Sequence, residues 1–306
     1  MMQQGRKSFV MGLFVLFLGT SGCHQERNES IRLMNTAVKF ANEGRTEEAI
    51  SRLTEAAIVD PTNHRAHFNR GIILQKSKRF KEARGAFKKA VAGSPDRAEY
   101  LYQLGMVLHE MGAFAEAIPV LTQSSKVRPN HGETWLRLGE CQVATEDFDG
   151  AQDPLIKAIE LKPLLSKSYL NLGRLYADFR QFPNAIQTYK TAIDVLGSAK
   201  QAGYRAKELD GVLLALHQDL GTVYRRMDRT DQAIEVLTAA RKLKRDEPAT
   251  LFNLGMILKD IKGREDEAKS VLKRYVSLSG SRQKPWRKRA AEEAYDKLKA
   301  RAASGK

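Results

Sequence analysis

Pro61, Pro95, Pro129 and Pro163 stand 34 residues apart, and Gly197 takes the same place one period later. The interval is not confined to proline. Ala49, Ala83, Ala117, Ala151 and Ala185 recur with it, and so do Gly71, Gly105, Gly139 and Gly173. A chain that repeats itself at this distance is not organised around one globular core; each period is a small unit that buries its apolar face against its neighbours. Each period holds two helical runs with a turn between them, as at Glu43-Gly44-Arg45 and Met111-Gly112-Ala113. A proline-bearing break then stops the second run. The pattern predicts helix-turn-helix repeats and no strands.

The eighth position of a unit constrains the packing further. Glycine inside a helix costs about 1 kcal/mol relative to alanine, yet Gly71, Gly105, Gly139, Gly173, Gly221 and Gly255 all hold this place, and only the first unit substitutes Ala37. The use of a missing side chain is close approach: the second helix, with its small alanine, comes near the first, and Leu104, Leu138, Leu172, Leu220 and Leu254 fill beside it.

Trp135, Leu138, Gly139, Phe148, Ala151, Leu155, Ala158 and Pro163 together resemble the signature of the tetratricopeptide repeat family. The resemblance implies an all-α fold, a right-handed α-solenoid of about seven repeats of 34 residues with a C-terminal capping helix. The array is read over 30–279, with units near 30–63, 64–97, 98–131, 132–165, 166–199, 214–247 and 248–280. An insertion at 200–213 shifts the register by 14 residues, and it either lengthens the first helix of the sixth unit or forms a loop. The seventh unit carries one extra residue, which moves its alanine to Ala268. Residues 280–306 form a basic tail in which Pro285 to Leu298 reads as an amphipathic helix, with Trp286, Ala290, Ala294 and Leu298 on or near one face. A repeat array needs an end cap with a polar outer side, and this helix is the candidate.

The start of the chain carries a second signal. Arg6 and Lys7 precede an uncharged run from Ser8 to Gly22, apolar from Phe9 to Leu18, and then comes Cys23. A positive opening before a short apolar stretch is an export signal, too short for a comfortable membrane span. Thr20-Ser21-Gly22-Cys23 resembles the lipobox of bacterial lipoproteins, with Thr20 departing from the usual leucine. Residues 1–22 are thus expected to be a signal peptide, Cys23 the lipidated first residue, and 23–29 a short linker. The alternatives are an uncleaved anchor, or an ordinary signal peptide with an incidental cysteine. Lipidation would hold the chain in a bacterial cell envelope, and His24 in place of aspartate favours the periplasmic face of the outer membrane.

Cys23 and Cys141 are the only cysteines, so there is no disulfide framework, and Cys141 reads as a small packed hydrophobe. The formal net charge is +15, and residues 281–306 hold nine Lys or Arg against Glu292, Glu293 and Asp296. Such a tail can meet nucleic acid, anionic lipid or an acidic protein, and export makes nucleic acid the poorest of these. More often a run of this kind is a solvated helix face. His24, His64, His67, His109, His131 and His217 include no zinc-binding pair. No phosphate-cradling loop occurs and no nucleophile stands beside a base by motif. The expectation is a protein that is no enzyme, with no metal, cofactor or small-molecule substrate.

In the family that this chain resembles, the first helices line a groove, with repeat positions 2, 5, 6, 9, 12 and 13 facing in. Position 5 reads Met34, Phe68, Tyr102, Leu136, Leu170, Gln218 and Phe252, and position 6 reads Asn35, Asn69, Gln103, Arg137, Asn171, Asp219 and Asn253. The amides can bond both the N–H and the C=O of an extended peptide. A similar asparagine ladder lines the repeat domain of O-linked N-acetylglucosamine transferase. The expected peptide-binding set is Met34, Asn35, Phe68, Asn69, Tyr102, Gln103, Leu136, Arg137, Leu170, Asn171, Arg174, Phe252 and Asn253. The competing reading is that asparagine is common here whatever is bound, and that the position-5 side chains pack against neighbouring helices. The clamp that chaperone-binding repeats place on a C-terminal carboxylate is not reproduced, since Met34 and Val38, Glu99 and Gln103 occupy its places. Two functions fit. One is a scaffold or adaptor that binds segments of other proteins, anchored by lipid; the other is a regulator of cell-wall chemistry that contacts peptidoglycan or its synthases.

Overall fold

The computed structural model describes residues 7–204, 206–278 and 284–303, with side chains from His24 onward apart from residues 206, 207 and 303. The signal-peptide reading of 1–22 and the thiol of Cys23 therefore lie outside the described side chains. Among the described residues there are fifteen helices and no strand. They are α1 (Lys7–Asn42), α2 (Thr46–Val59), α3 (His64–Lys76), α4 (Phe80–Gly93), α5 (Ala98–Glu110), α6 (Phe114–Val127), α7 (Gly132–Ala144) and α8 (Phe148–Leu161). After these come α9 (Ser166–Asp178), α10 (Phe182–Gln201), α11 (Ala206–Arg226), α12 (Thr230–Leu243), α13 (Pro248–Leu258), α14 (Glu265–Ser277) and α15 (Pro285–Ala303). The stretch 23–29 is helical, as part of α1. Among the described residues no helix is long and apolar enough to cross a membrane. The chain divides into two compact units, Met1–Pro154 and Leu155–Lys306.

Consecutive helices pair as hairpins, α1 with α2, α3 with α4, α5 with α6, and, in the second unit, α9 with α10, α11 with α12 and α13 with α14. The backbone explains the turns. Position 15 of the repeat has a left-handed backbone throughout, at Gly44, Gly112 and Gly263 (φ 78°, 72° and 84°) and also at Lys78, Glu146, Arg180 and Asp228 (φ 60°, 62°, 58° and 56°). The amide one residue later reaches back to a carbonyl five residues earlier, as Arg45 to Phe40, Ala113 to Leu108 and Gln181 to Tyr176, at 2.9, 2.9 and 2.8 Å. This bond closes the first helix and reverses the chain.

The glycines of position 8 do clear space, but not for the alanine. A Cβ on Gly71 would lie 2.5 Å from Phe87 Cε1, on Gly105 2.4 Å from Leu121 Cδ2, on Gly173 2.4 Å from Tyr189 Cε1, and on Gly255 2.6 Å from Leu272 Cδ2. Each partner is the large side chain at position 24 of the second helix. The repeated alanines, Ala49, Ala83, Ala117, Ala151, Ala185, Ala233 and Ala268, are all wholly buried, and together with the glycines they let large residues such as Phe87 and Tyr189 be packed between the helices.

The inserted residues 200–213 lengthen both helices they touch. α10 runs through Gly197 to Gln201 and is 20 residues long, and α11 has 21, with a short turn between. Glycine at 197 permits a helix that proline at the same place would stop. The extension is held by Leu196, Leu209 and Leu213, all buried in one cluster with Tyr189 and Leu216, and by an ion pair between Lys200 and Asp210. At the end of the second unit α15 buries Ala291, Ala294 and Leu298 against α13 and α14. Trp286, expected on that face, is 59% exposed.

Candidate first-helix binding face

In the N-terminal unit α3 lies against α1 and α5, and α5 against α7. The first helices thus present neighbouring faces. Met34 is half-buried against Leu33, Ala37 and Leu53. Phe68 stacks on Tyr100 at 4.5 Å and tilts against Phe87 at 5.7 Å. Tyr102 meets the ring of His131 edge-on at 4.8 Å, and burial pushes its phenol above the ordinary range. These three are half in the core and half at the surface. Leu136 is different: at 2% exposure it is a core side chain, so it offers a partner nothing.

The amides divide in the same way. Asn35 is exposed and Asn69 and Gln103 are half-buried, and no side-chain hydrogen bond joins any of the three to another group among the described residues. Arg137 is engaged. Its Nη1 donates to Glu140 Oε2 at 2.6 Å, and His109 Nε2 lies 3.3 Å from the same oxygen. Burial alone would raise the Glu140 pKa, but the hydrogen bond to His109 and the charge of Arg137 outweigh it and hold the carboxyl below its usual range. Glu140 and His109 were not read from the sequence as part of this face. They occupy positions 9 and 12, which face inward in the family, so reading those columns as well as 5 and 6 would have found them.

In the C-terminal unit Leu170 packs against the cluster around Tyr169 and Tyr189, and Asn171 beside it is half-buried. Arg174 Nε donates to Asp219 Oδ2 at 2.8 Å. Burial pushes the Asp219 carboxyl up, with Arg174 working against that. Gln218 Nε2 donates to Thr250 Oγ1 at 2.8 Å. Phe252 is 5% exposed, with Tyr275 at 5.4 Å and Trp286 edge-on at 5.9 Å. It belongs to the core under α15, and Asn253 next to it keeps a side-chain amide that no group among the described residues bonds. Arg174, Asp219, Gln218 and Thr250 are cross-links between first helices. Leu136 and Phe252 correct the sequence reading, because the position-5 column alternates between groove wall and core according to what the next helix supplies. Among the described residues no group of His, Cys, Asp and Glu could hold a metal ion.

Three stretches match models described as tetratricopeptide repeat, residues 37–98, 108–164 and 166–195. No curated protein matches the sequence. Among solved structures the fold is similar to YrrB, a TPR protein with an unusual peptide-binding site, at 23% identity and a TM-score of 0.52, over 57% of this chain and 91% of that one. It is similar also to PilF of Pseudomonas aeruginosa (19% identity, TM-score 0.53, 74% of this chain and 96% of that one). A tetratricopeptide repeat protein of Parabacteroides merdae aligns at 15% identity and a TM-score of 0.52, over 89% of this chain and 99% of that one. At these identities the likeness is one of fold. The hairpins, their shared left-handed turn and the three matches agree: residues 37–98, 108–164 and 166–195 are tetratricopeptide repeats.

Proposed function

We propose that this protein is a non-catalytic adaptor that holds an extended segment of a partner protein on its first-helix faces, tethered by a lipid on Cys23 to the periplasmic face of a bacterial outer membrane. The observation that carries the reading is the row of unbonded amides, Asn35, Asn69 and Gln103, on the adjacent helices α1, α3 and α5. A carboxamide offers a donor and an acceptor side by side, which is what the backbone of an extended peptide requires. Half-buried Met34, Phe68 and Tyr102 lie beside them as an apolar edge. YrrB, a chain of similar fold, has a peptide-binding site, which is consistent with the same use here.

The test replaces the amides and leaves the aromatic side chains in place, because Phe68 supports Tyr100 and Phe87 and its loss would unsettle the core. Asn69→Ala with Gln103→Ala should reduce the partner recovered by cross-linking from solubilised envelopes, with helicity and Tm close to wild type. Recovery equal to wild type would remove the amide row from the mechanism. The anchor is tested separately: Cys23→Ser should abolish palmitate incorporation and leave an uncleaved precursor, and equal labelling of the two proteins would end the lipoprotein reading.

A further inference from the structure

The N-terminal unit contains a cleft of about 440 Å³ lined by three arginines and one acid, Asp60. Arg27 of α1, Arg65 in the first turn of α3 and Arg97 at the N-cap of α5 converge on it. Several other arginines of this unit are bonded to nearby glutamates, as Arg45 to Glu48, Arg79 to Glu82 and Arg84 to Glu116. These three have no carboxylate partner among the described residues; Arg97 instead lies over the ring of Tyr100, 4.9 Å from its centroid. The one acid in the cleft, Asp60, accepts through Oδ1 from the amide and hydroxyl of Thr62 at 3.0 and 2.6 Å and forms no ion pair with the arginines, so the three cations outnumber the single anion. His64 bonds Tyr100 Oη through Nδ1 at 2.9 Å; burial first, and then the charges of Arg97 and Arg65, hold its imidazole below the ordinary range. The floor is apolar, formed by Ile31, 39% exposed, and Met34.

We propose that this cleft binds an acidic peptide segment of a partner, with side-chain carboxylates on Arg27, Arg65 and Arg97 and an aliphatic residue between them on Ile31 and Met34. Guanidinium forks match carboxylates in geometry as well as charge. An apolar floor between cations suits a peptide that alternates acids with aliphatic side chains, whereas a lipid headgroup has no use for it. Three converging cations also repel one another until an anion arrives, and they raise the rate at which an acidic segment is met. The proposal rests on the reading of the first-helix faces as a peptide surface, because Met34 belongs to both, and it names the chemistry of the segment held there.

The experiment uses the full chain and a short, amidated, fluorescent peptide in which glutamate and aspartate alternate with leucine and isoleucine, beside the same peptide with glutamine and asparagine in place of the acids. Fluorescence polarisation should show binding of the acidic peptide and at least about tenfold weaker binding by Arg65→Ala/Arg97→Ala. Arg97 packs on Tyr100, so Arg27→Ala/Arg65→Ala, which leaves that contact in place, is the second variant and should lose a comparable factor. Equal affinity for the acidic and amide peptides would overturn the proposal, as would arginine variants that bind the acidic peptide like wild type. Arginine variants that lose only co-sedimentation with phosphatidylglycerol vesicles would assign the cleft to the membrane instead. Binding confined to a peptide with a free C-terminus would assign it to a terminal carboxylate. Should Asn69→Ala/Gln103→Ala keep full affinity while the arginine variants lose it, the amide reading fails and the cleft stands.

Discussion

Alanine at Gly173 separates the close-approach explanation of the repeated glycines from a merely inherited pattern. The added Cβ would stand 2.4, 2.6 and 2.9 Å from Cε1, Cζ and Cδ1 of Tyr189, where carbon atoms prefer about 3.5–4.0 Å. The ring has to withdraw by roughly an ångström, and it is 1% exposed in a cluster with Ala185, Ala192, Leu196 and Leu220. An aromatic ring has no flexible tip to swing aside. Overpacking of this kind costs about 1–3 kcal/mol, and the gain in helix propensity returns about 1, leaving a net change between neutral and a loss of about 2 kcal/mol. The control lies in the same unit: Gly211 in α11 has nothing within 4 Å of its would-be Cβ, so Gly211→Ala should stabilise by about 0.5–1 kcal/mol. Urea unfolding followed by circular dichroism gives the sign. Hydrogen exchange then places the damage in α9 and α10, which matters because an array can open unit by unit. If Gly173→Ala stabilises as much as Gly211→Ala, the contact geometry has been misjudged.

Glu146 and Arg180 hold the left-handed turn position without the freedom of glycine, so Glu146→Gly or Arg180→Gly should each stabilise by up to about 1 kcal/mol; a loss of Tm would show that the side chain matters more than the backbone. Cys141 is wholly buried, and burial, with nearby Glu140 adding to it, pushes its thiol up to about 12, so in a Cys23→Ser chain Ellman's reagent should fail to label the native protein and titrate one thiol after denaturation. Because the folded carboxyl of Glu140 is held below its ordinary value of 4.5, its contribution is present above that value and lost as pH falls below it. Glu140→Gln should cost about 1–3 kcal/mol at pH 7 and flatten the acid limb of stability against pH; an unchanged acid limb would mean that the His109 and Arg137 contacts do not persist in solution.

The fold was legible because the constraints that define it recur. Position 8 must be small, position 20 must be alanine-sized, and both columns stay in register across the insertion and the extra residue, as Ala233 and Ala268 show by being fully buried. The turn was only half legible: Gly44 and Gly112 advertise a left-handed residue, whereas Lys78, Glu146, Arg180 and Asp228 adopt the same backbone under the bonds that close the first helix. The length of α10 was hidden, since glycine in the proline column neither stops nor demands a helix. Site residues were harder still. Whether a position-5 side chain lines the surface depends on its neighbours in space: Tyr102 stays half-exposed beside His131, while Phe252 is enclosed because α15 lies over it. The arginine cleft escaped for the same reason, being gathered from α1, α3 and α5, with no spacing along the chain to mark it.

The polar side chains of the first helices do two different jobs, and the division follows the two compact units. From Leu155 on, Arg174 is bonded to Asp219 and Gln218 to Thr250, so most of the inward polar capacity already ties one first helix to the next. A partner would have to displace those bonds, and each exchange returns little net free energy. In the unit that ends at Pro154, the side-chain amides of Asn35, Asn69 and Gln103 are bonded to nothing among the described residues, and the arginine cleft lies beside Met34 at the same end. There a ligand would add hydrogen bonds without breaking any, and its carboxylates would meet three arginines against the single carboxylate of Asp60. If the protein holds a peptide as proposed, capture should centre on the first three repeats, with Asn253 on α13 a spare amide far along the chain from them. Substituting Asn253 should accordingly change partner binding far less than substituting Asn69 and Gln103, and an equal loss from both would place the bound segment along the whole array.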